Sequence, residues 1–207
     1  MQLSEIRQGS FKIASRLGYP TNESLPLLDE VETTRSPEEI LKRSLSLFSV
    51  VAHSYGFPSE SALSWLEGEG LADQLSPIER KYLIEGSGDG KSFQGQVESL
   101  WALTWALSIH GSFDFSQLCS NDFIGLFPNV KTGESSQKFR SSIKFRGIED
   151  ILVEADLAYC LHWGLTAAGM NGKQIPNAVP IYVVANRRKA LDWILCDDPW
   201  DEISLDT

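Results

Sequence analysis

GIEDILVEADLAYCLHWGLTAAGMNG, residues 147–172, is the stretch that decides which fold this sequence can adopt. At 100° per residue, one face of a helix here collects Ile148, Ile151, Leu152, Ala155, Tyr159, His162, Trp163 and Thr166. In the second half the opposite side is apolar too, with Leu157, Cys160, Leu161 and Leu165. A helix that is apolar on all sides must be enclosed by other elements. The stretch therefore predicts a buried central helix over about residues 147–170.

Outside this stretch the sequence repeats the signals of helix starts. Ser36-Pro37-Glu38-Glu39 and Ser76-Pro77-Ile78-Glu79 each combine a serine cap, a proline at the first helical position and a glutamate that closes a capping box. Only residues 178–184, AVPIYVV, have the β-branched composition of a short strand. We therefore predict one all-α domain over residues 1–207, a helical bundle of about seven to ten helices around the central one.

Residues 86–92, GSGDGKS, are the predicted flexible break in this domain. The segment resembles a phosphate-binding loop, but Glu85 occupies the position that the first glycine of that motif requires. It also follows a polar helical segment and not a buried strand. A surface turn is the better interpretation.

Composition and charge exclude several classes of partner. The chain has 207 residues, of which 42% are hydrophobic and 22% charged, as in folded globular domains. Its formal net charge is −10, which opposes binding to nucleic acid and to an anionic membrane surface. An acidic surface suits solubility or a protein partner with a basic surface.

Neither a metal site nor a disulfide framework is predicted. Cys119, Cys160 and Cys196 are widely separated, and no histidine or cysteine spacing is typical of zinc. The N-terminal residues have no apolar segment of the kind found in signal peptides. We expect a cytoplasmic protein that uses no cofactor.

The central helix carries the residues with the best claim to chemistry. Asp156 and His162 are its only Asp, Glu, His, Lys or Arg side chains between residues 155 and 172, and with Tyr159 and Arg187 they could form a polar pocket. A buried carboxylate needs a partner, for which Arg146 and Arg187 are the candidates. Asp156 could serve as an ion pair that locks helices together or as a catalytic carboxylate with a shifted pKa.

The C-terminal segment is the predicted partner-binding surface. From Asp192 to Thr207 it contains six acids and no base. Trp200 has two possible roles, because tryptophan anchors protein interfaces but could also fold back onto the core. The candidate interface residues are Asp197, Asp198, Trp200, Asp201 and Glu202.

Two classes of function follow from these features. The first is a non-enzymatic acidic module that binds a basic protein, with a bacterial immunity protein that neutralises a co-encoded toxin as a specific case. The alternative is an enzyme of unknown reaction with its pocket around Asp156 and His162. A structural subunit of a larger assembly is a third possibility.

Several motifs occur in an order that resembles a known family: LWALTWAL at 100–107, RGIEDILVEADLAYCLHW at 146–163, RRKALDW at 187–193 and WDEISLDT at 200–207. They are similar to the bacterial family catalogued as domain of unknown function 4272. The resemblance extends from RSPEEI at 35–40 to the C-terminus. Because that family has no established activity, the resemblance implies the helical fold alone.

Overall fold

The computed structural model of the chain describes residues 2–29, 31 and 33–207. Its regular structure in these residues is entirely helical, without a strand, which confirms the all-α prediction. The α-helices are α1 (Leu3–Arg16), α2 (Pro37–Ser54), α3 (Ser59–Gly68), α4 (Pro77–Glu85), α5 (Gly90–Gly95), α6 (Val97–Ala106), α7 (Gln137–Ser142), α8 (Ile148–Met170) and α9 (Ile181–Ile194). Short 3-10 turns occur at Ala72–Gln74, Phe123–Leu126, Val130–Thr132 and Trp200–Glu202.

The predicted capping boxes begin α2 and α4. The hydroxyl of Ser36 accepts a hydrogen bond from the backbone N–H of Glu39 at 3.2 Å, and the Glu39 carboxylate accepts the N–H of Ser36 at 2.8 Å. Ser76 and Glu79 repeat the pattern with 3.3 and 2.9 Å. These bonds satisfy backbone donors that the first turn of a helix leaves free.

Two segments whose structure the sequence left open, residues 178–184 and 86–92, both run into helices. Because α9 begins at Ile181, Val183 and Val184 are buried in its first turns and the possible strand at 178–184 does not form. Residues 86–89 make the turn between α4 and α5, in which the Asp89 carboxylate accepts the Lys91 N–H at 3.0 Å. The predicted turn over residues 86–92 is confirmed for residues 86–89, whereas residues 90–92 begin α5, and the flexibility of the segment stays a prediction.

The long helices pack side by side in the order α1, α8, α9, α6, α2. The short helices α3, α4 and α5 lie against α2. The predicted central helix is α8, which is enclosed by α1 on one side and α9 on the other. No helix among residues 2–29, 31 and 33–207 is long and apolar enough to cross a membrane.

One glycine allows the chain after α1 to approach α8 closely. A Cβ atom added at Gly164 would lie 3.1 Å from the carbonyl oxygen of Pro20 and 3.3 Å from the Tyr19 ring. Gly169 on the same helix has nothing within 4 Å of such an atom. A side chain at Gly164 would therefore force the Tyr19–Pro20 segment to move by a few tenths of an ångström.

Gly164→Ala should lower the free energy of unfolding by about 1–3 kcal/mol, because the methyl group overlaps the Tyr19–Pro20 backbone. Gly169→Ala is the matched control and should raise it by about 0.5–1 kcal/mol, since alanine favours a helix over glycine. Urea unfolding of both variants measures the two effects. A stabilised Gly164→Ala variant would contradict the close approach.

Candidate functional site

Asp156, the predicted buried carboxylate, lies where α1 meets α8 and is 1% exposed. Its partner is Arg7 on α1, with 3.0 Å from Nε and 2.8 Å from Nη2 to Oδ1. The same guanidinium donates to the carbonyl oxygens of Leu25 at 2.9 Å and Pro26 at 2.8 Å. Burial against an arginine is confirmed. Arg7 ties the chain after α1 to α8 as well as neutralising the carboxylate.

The prediction that Arg146 or Arg187 pairs with Asp156 was wrong. Arg187 is fully buried on the side of α9 that faces α6, and its Nε donates to Glu98 Oε2 at 2.8 Å. Arg146 precedes α8 and donates to the carbonyl oxygens of Trp105 at 2.6 Å and His110 at 2.9 Å. Each arginine therefore satisfies acceptors at the α6 side of the molecule, away from Asp156.

Tyr159 lies beside Arg7, the partner of Asp156, whereas His162 lies beside Arg188, which is the second arginine of the cluster. Its Cζ lies 4.7 Å from the centre of the Tyr159 ring, and the Arg7 Cζ lies 5.5 Å from the same ring. Its Nη1 is 3.0 Å from Nδ1 of His162. The predicted pocket thus loses Arg187, because adjacent residues on α9 point about 100° apart.

Arg188 also connects this cluster to the end of the chain. Its Nε donates to the Asp192 carboxylate at 3.0 Å, and its Nη atoms donate to the carbonyl oxygens of Leu205 and Asp206, both at 3.2 Å. Arg7, Asp156, Tyr159, Arg188 and His162 form what we call the α8 cluster. It joins α1, α8, α9 and the C-terminal segment.

Little of the α8 cluster is free for proton transfer. Burial, together with the charge of Arg188, lowers the pKa of His162 to about 4, so the imidazole is neutral at pH 7. Its Nδ1 faces the donor Arg188, which assigns the proton to Nε2. Both Asp156 oxygens accept from Arg7, and burial raises the pKa of the Cys160 thiol to about 12. As formed, the cluster suits a structural role.

A third buried pair repeats the pattern at the other side of the molecule. Arg43 on α2 pairs with Glu79 on α4, and its Nη1 donates to the carbonyl oxygen of Gln74 at 3.2 Å. The sequence did not predict a role for Arg7, Arg43 or Glu98, and for Glu79 it predicted the capping box but not the ion pair. The available signal was an ionisable residue on an otherwise apolar helical face, most clearly Glu98 within VESLWALTWAL.

Trp200 folds back onto the core, which is the second of its two predicted roles. It is 5% exposed, meets the Trp193 ring edge-on at 5.7 Å and lies beside Arg43 and Lys189. Asp201 accepts the Ile78 N–H at 3.2 Å in the first turn of α4. These two residues therefore hold the C-terminal segment in place.

Asp197, Asp198 and Glu202 are exposed on this fixed segment, and we call them the tail acids. The carbonyl oxygen of Asp198 accepts from Arg35 at 2.8 Å, and the Asp197 carboxylate accepts from the Thr33 hydroxyl at 2.7 Å. The backbone is thus held while most of the carboxylate oxygens face solvent.

A cleft that sequence analysis did not anticipate opens at the C-terminal end of α2. Its volume is about 1120 Å³, and its floor includes Phe48 and Phe127, whose rings stack at 4.4 Å. Four of its lining residues are large, exposed side chains: Tyr55, Leu118, Ile124 and Tyr182. They come from separate segments, so no local pattern marks them. Exposed apolar residues that cluster in this way are typical of binding surfaces.

The described residues include no group of three or more His, Cys, Asp or Glu side chains placed to hold a metal ion. The Cys119 thiol in the cleft is not an activated nucleophile, because burial and the neighbouring Glu98 raise its pKa to about 12.

Fold and site together define an all-helical protein with buried arginine–carboxylate pairs and an excess of acidic residues. A model of the family described as Domain of unknown function (DUF4272) matches residues 7–203, so the chain belongs to that family. No curated protein and no solved structure matches the chain.

Asp156→Ala should destabilise the protein by about 3–5 kcal/mol, because it leaves the Arg7 guanidinium buried without its counter-charge. Asp150→Ala, which removes an exposed carboxylate from the same helix, should change the free energy of unfolding by less than about 1 kcal/mol. The double change Arg7→Met and Asp156→Leu should cost less than Asp156→Ala alone. An unchanged melting temperature in Asp156→Ala would contradict the pairing.

Glu154 on α8 allows a test by pH, because one of its buried oxygens has no hydrogen-bond partner among the described residues. Burial and the charge of Asp150 raise its pKa from 4.5 to about 7. Between these values the folded state holds a proton that the unfolded state has lost, so this carboxyl makes the protein less stable as pH rises.

Glu154→Gln should therefore raise the free energy of unfolding by about 1–3 kcal/mol at pH 8 and leave it nearly unchanged at pH 4. Denaturant unfolding at both pH values gives the difference. Glu67→Gln, at an exposed position on α3, is the control and should show the same small change at both. Equal effects of Glu154→Gln at the two pH values would contradict the shifted pKa.

Proposed function

We propose that this protein is a non-enzymatic binding module whose acidic surface holds a basic protein partner. The observation that carries the proposal is the exposure of the tail acids on a segment whose backbone is fixed. Arg188 donates hydrogen bonds to the carbonyl oxygens of Leu205 and Asp206, and Arg35 donates to the carbonyl oxygen of Asp198. Trp200 of the same segment is buried in the core. A charged surface that is already ordered binds with a smaller loss of conformational entropy.

The distribution of charge supports the same proposal. Arg7–Asp156, Arg43–Glu79 and Arg187–Glu98 are buried pairs, and Arg188–Asp192 is largely buried. These pairs contain acids and bases in equal number, so the formal net charge of −10 arises from the other ionisable groups, most of which lie on the surface. Such a surface attracts a basic partner at long range and speeds its association.

The most specific form of the proposal is an immunity protein that neutralises a toxin by direct binding in the cytoplasm. A protein that acts on nucleic acid has a basic surface, and an acidic module can cover it without any catalytic group. The alternative, an enzyme with a pocket at Asp156 and His162, has less support. Arg7 occupies both Asp156 oxygens, and His162 is neutral with its Nδ1 against Arg188.

The proposal is tested by capture of partners with the immobilised protein and with a triple variant, Asp197→Asn, Asp198→Asn and Glu202→Gln. Wild type should retain a basic protein that the variant loses. With the purified partner, the variant should associate at least about tenfold more slowly at low salt, with a weaker dependence on ionic strength.

A second triple variant, Glu5→Gln, Glu23→Gln and Glu67→Gln, changes the net charge equally at exposed sites outside the C-terminal segment. It should keep the partner. Capture by both variants, or loss by both, would contradict a role for the tail acids. For the immunity hypothesis, the captured protein should arrest growth when expressed alone and not when expressed together with this chain.

A further inference from the structure

We propose that the cleft at the end of α2 is a second binding surface, which takes an amphipathic basic segment of another protein. It is separate from the tail acids. The carbonyl oxygen of the tail residue Asp198 bonds to Arg35, just before the start of α2, whereas the cleft begins near Tyr55, just beyond the other end of α2. The 18 residues of α2 span about 27 Å.

The apolar part of the surface is fixed by bonds that lie beneath it. Arg187 donates to the carbonyl oxygens of Asp114 at 2.7 Å and Gln117 at 2.9 Å, directly before Leu118. The Glu98 carboxylate, which pairs with Arg187, accepts the Cys119 N–H at 3.0 Å. Leu118 is 54% exposed although its backbone is held on both sides. An apolar side chain presented on a fixed backbone is suited to contact a partner.

An acidic hollow continues the cleft. The hollow has a volume of about 570 Å³ and shares Ser61 and Val130 with the cleft. The charged residues that line the two depressions are Glu60, Glu69, Glu98, Glu134 and Lys131. Arg187 neutralises Glu98, and Glu69 accepts hydrogen bonds from Ser136 with the charge of Arg140 nearby. Glu60 and Glu134 remain against Lys131. Glu60 is exposed and makes no ion pair with the described residues.

The apolar cleft and the neighbouring acidic hollow together indicate which kind of segment would bind. Large apolar side chains would enter the cleft between Leu118, Ile124 and Tyr182, while lysine or arginine of the same segment would face Glu60 and its neighbours. A helix with one apolar and one basic face has this chemistry. A second copy of this chain would bring its own charge of −10 to an acidic rim, and charge complementarity therefore favours a different, basic protein.

The probe is a fluorescein-labelled peptide of about 14 residues with leucine at helical i, i+3, i+4 spacing and lysine elsewhere. Fluorescence anisotropy at near-physiological salt should give saturable binding to wild type. Leu118→Ser and Ile124→Ser should each weaken it at least about fivefold, and Glu60→Lys at least about threefold. Ile84→Ser is the matched control, because Ile84 is similarly exposed, at 58%, but lies on α4 outside the cleft. It should leave binding unchanged.

A peptide with glutamate in place of lysine and a peptide with serine in place of leucine should both bind at least about tenfold more weakly. Equal loss with Leu118→Ser and Ile84→Ser, or equal binding of the lysine and glutamate peptides, would overturn the proposal. So would the absence of binding to wild type at about millimolar peptide. Binding of a small apolar dye without the peptide would assign the cleft to a small molecule. The tail-acid triple variant should bind the peptide normally, which separates this surface from the proposed function.

Discussion

The structure depends on the demand of buried guanidinium groups for hydrogen-bond acceptors. Arg187 is the largest fully buried side chain in the described part of the molecule, and its charge and N–H donors must all be satisfied without water. Glu98 supplies the charge, and the carbonyl oxygens of Asp114 and Gln117 supply further acceptors. One side chain thereby holds α9, α6 and an irregular loop in a single arrangement. Removing either charge would leave the other buried alone, so the arrangement is strongly specified.

The same device recurs at three further buried arginines, each of which joins a helix to a segment outside the α-helices. Arg7 pairs with Asp156 and donates to the carbonyl oxygens of Leu25 and Pro26. Arg43 pairs with Glu79 and donates to the carbonyl oxygen of Gln74. Arg188 pairs with Asp192 and donates to the carbonyl oxygens of Leu205 and Asp206. Aromatic rings cover several of these groups, as Tyr159 does between Arg7 and Arg188. Apolar packing aligns the helices, and the arginines position the segments that apolar packing leaves undetermined.

What could be predicted from the sequence was local. Capping boxes at Ser36 and Ser76, the bounds of α8 and the burial of Asp156 follow from spacing along the chain, and the structure confirms them. The partner of Asp156 could not be predicted, because Arg7 lies 149 residues away and periodicity does not say which helices touch. The prediction that Arg187, and not its neighbour Arg188, belongs to the cluster on α8 was wrong for a related reason. A helical wheel separates the two residues but does not say which direction faces α8.

The buried arginines also explain why binding is better supported than catalysis. A catalytic carboxylate or imidazole needs a lone pair or a proton that the substrate can reach. In the α8 cluster, Arg7 and Arg188 occupy the acceptor atoms of Asp156 and His162 that face them. Arg188 also holds the backbone at 205–206, shortly after the tail acids, and Arg187 holds the backbone before Leu118. The binding proposed for these surfaces would therefore cost less conformational entropy, because their backbone is already held in place. The charges in the core therefore hold surface groups in position, which is the indirect part that they would play in the proposed binding.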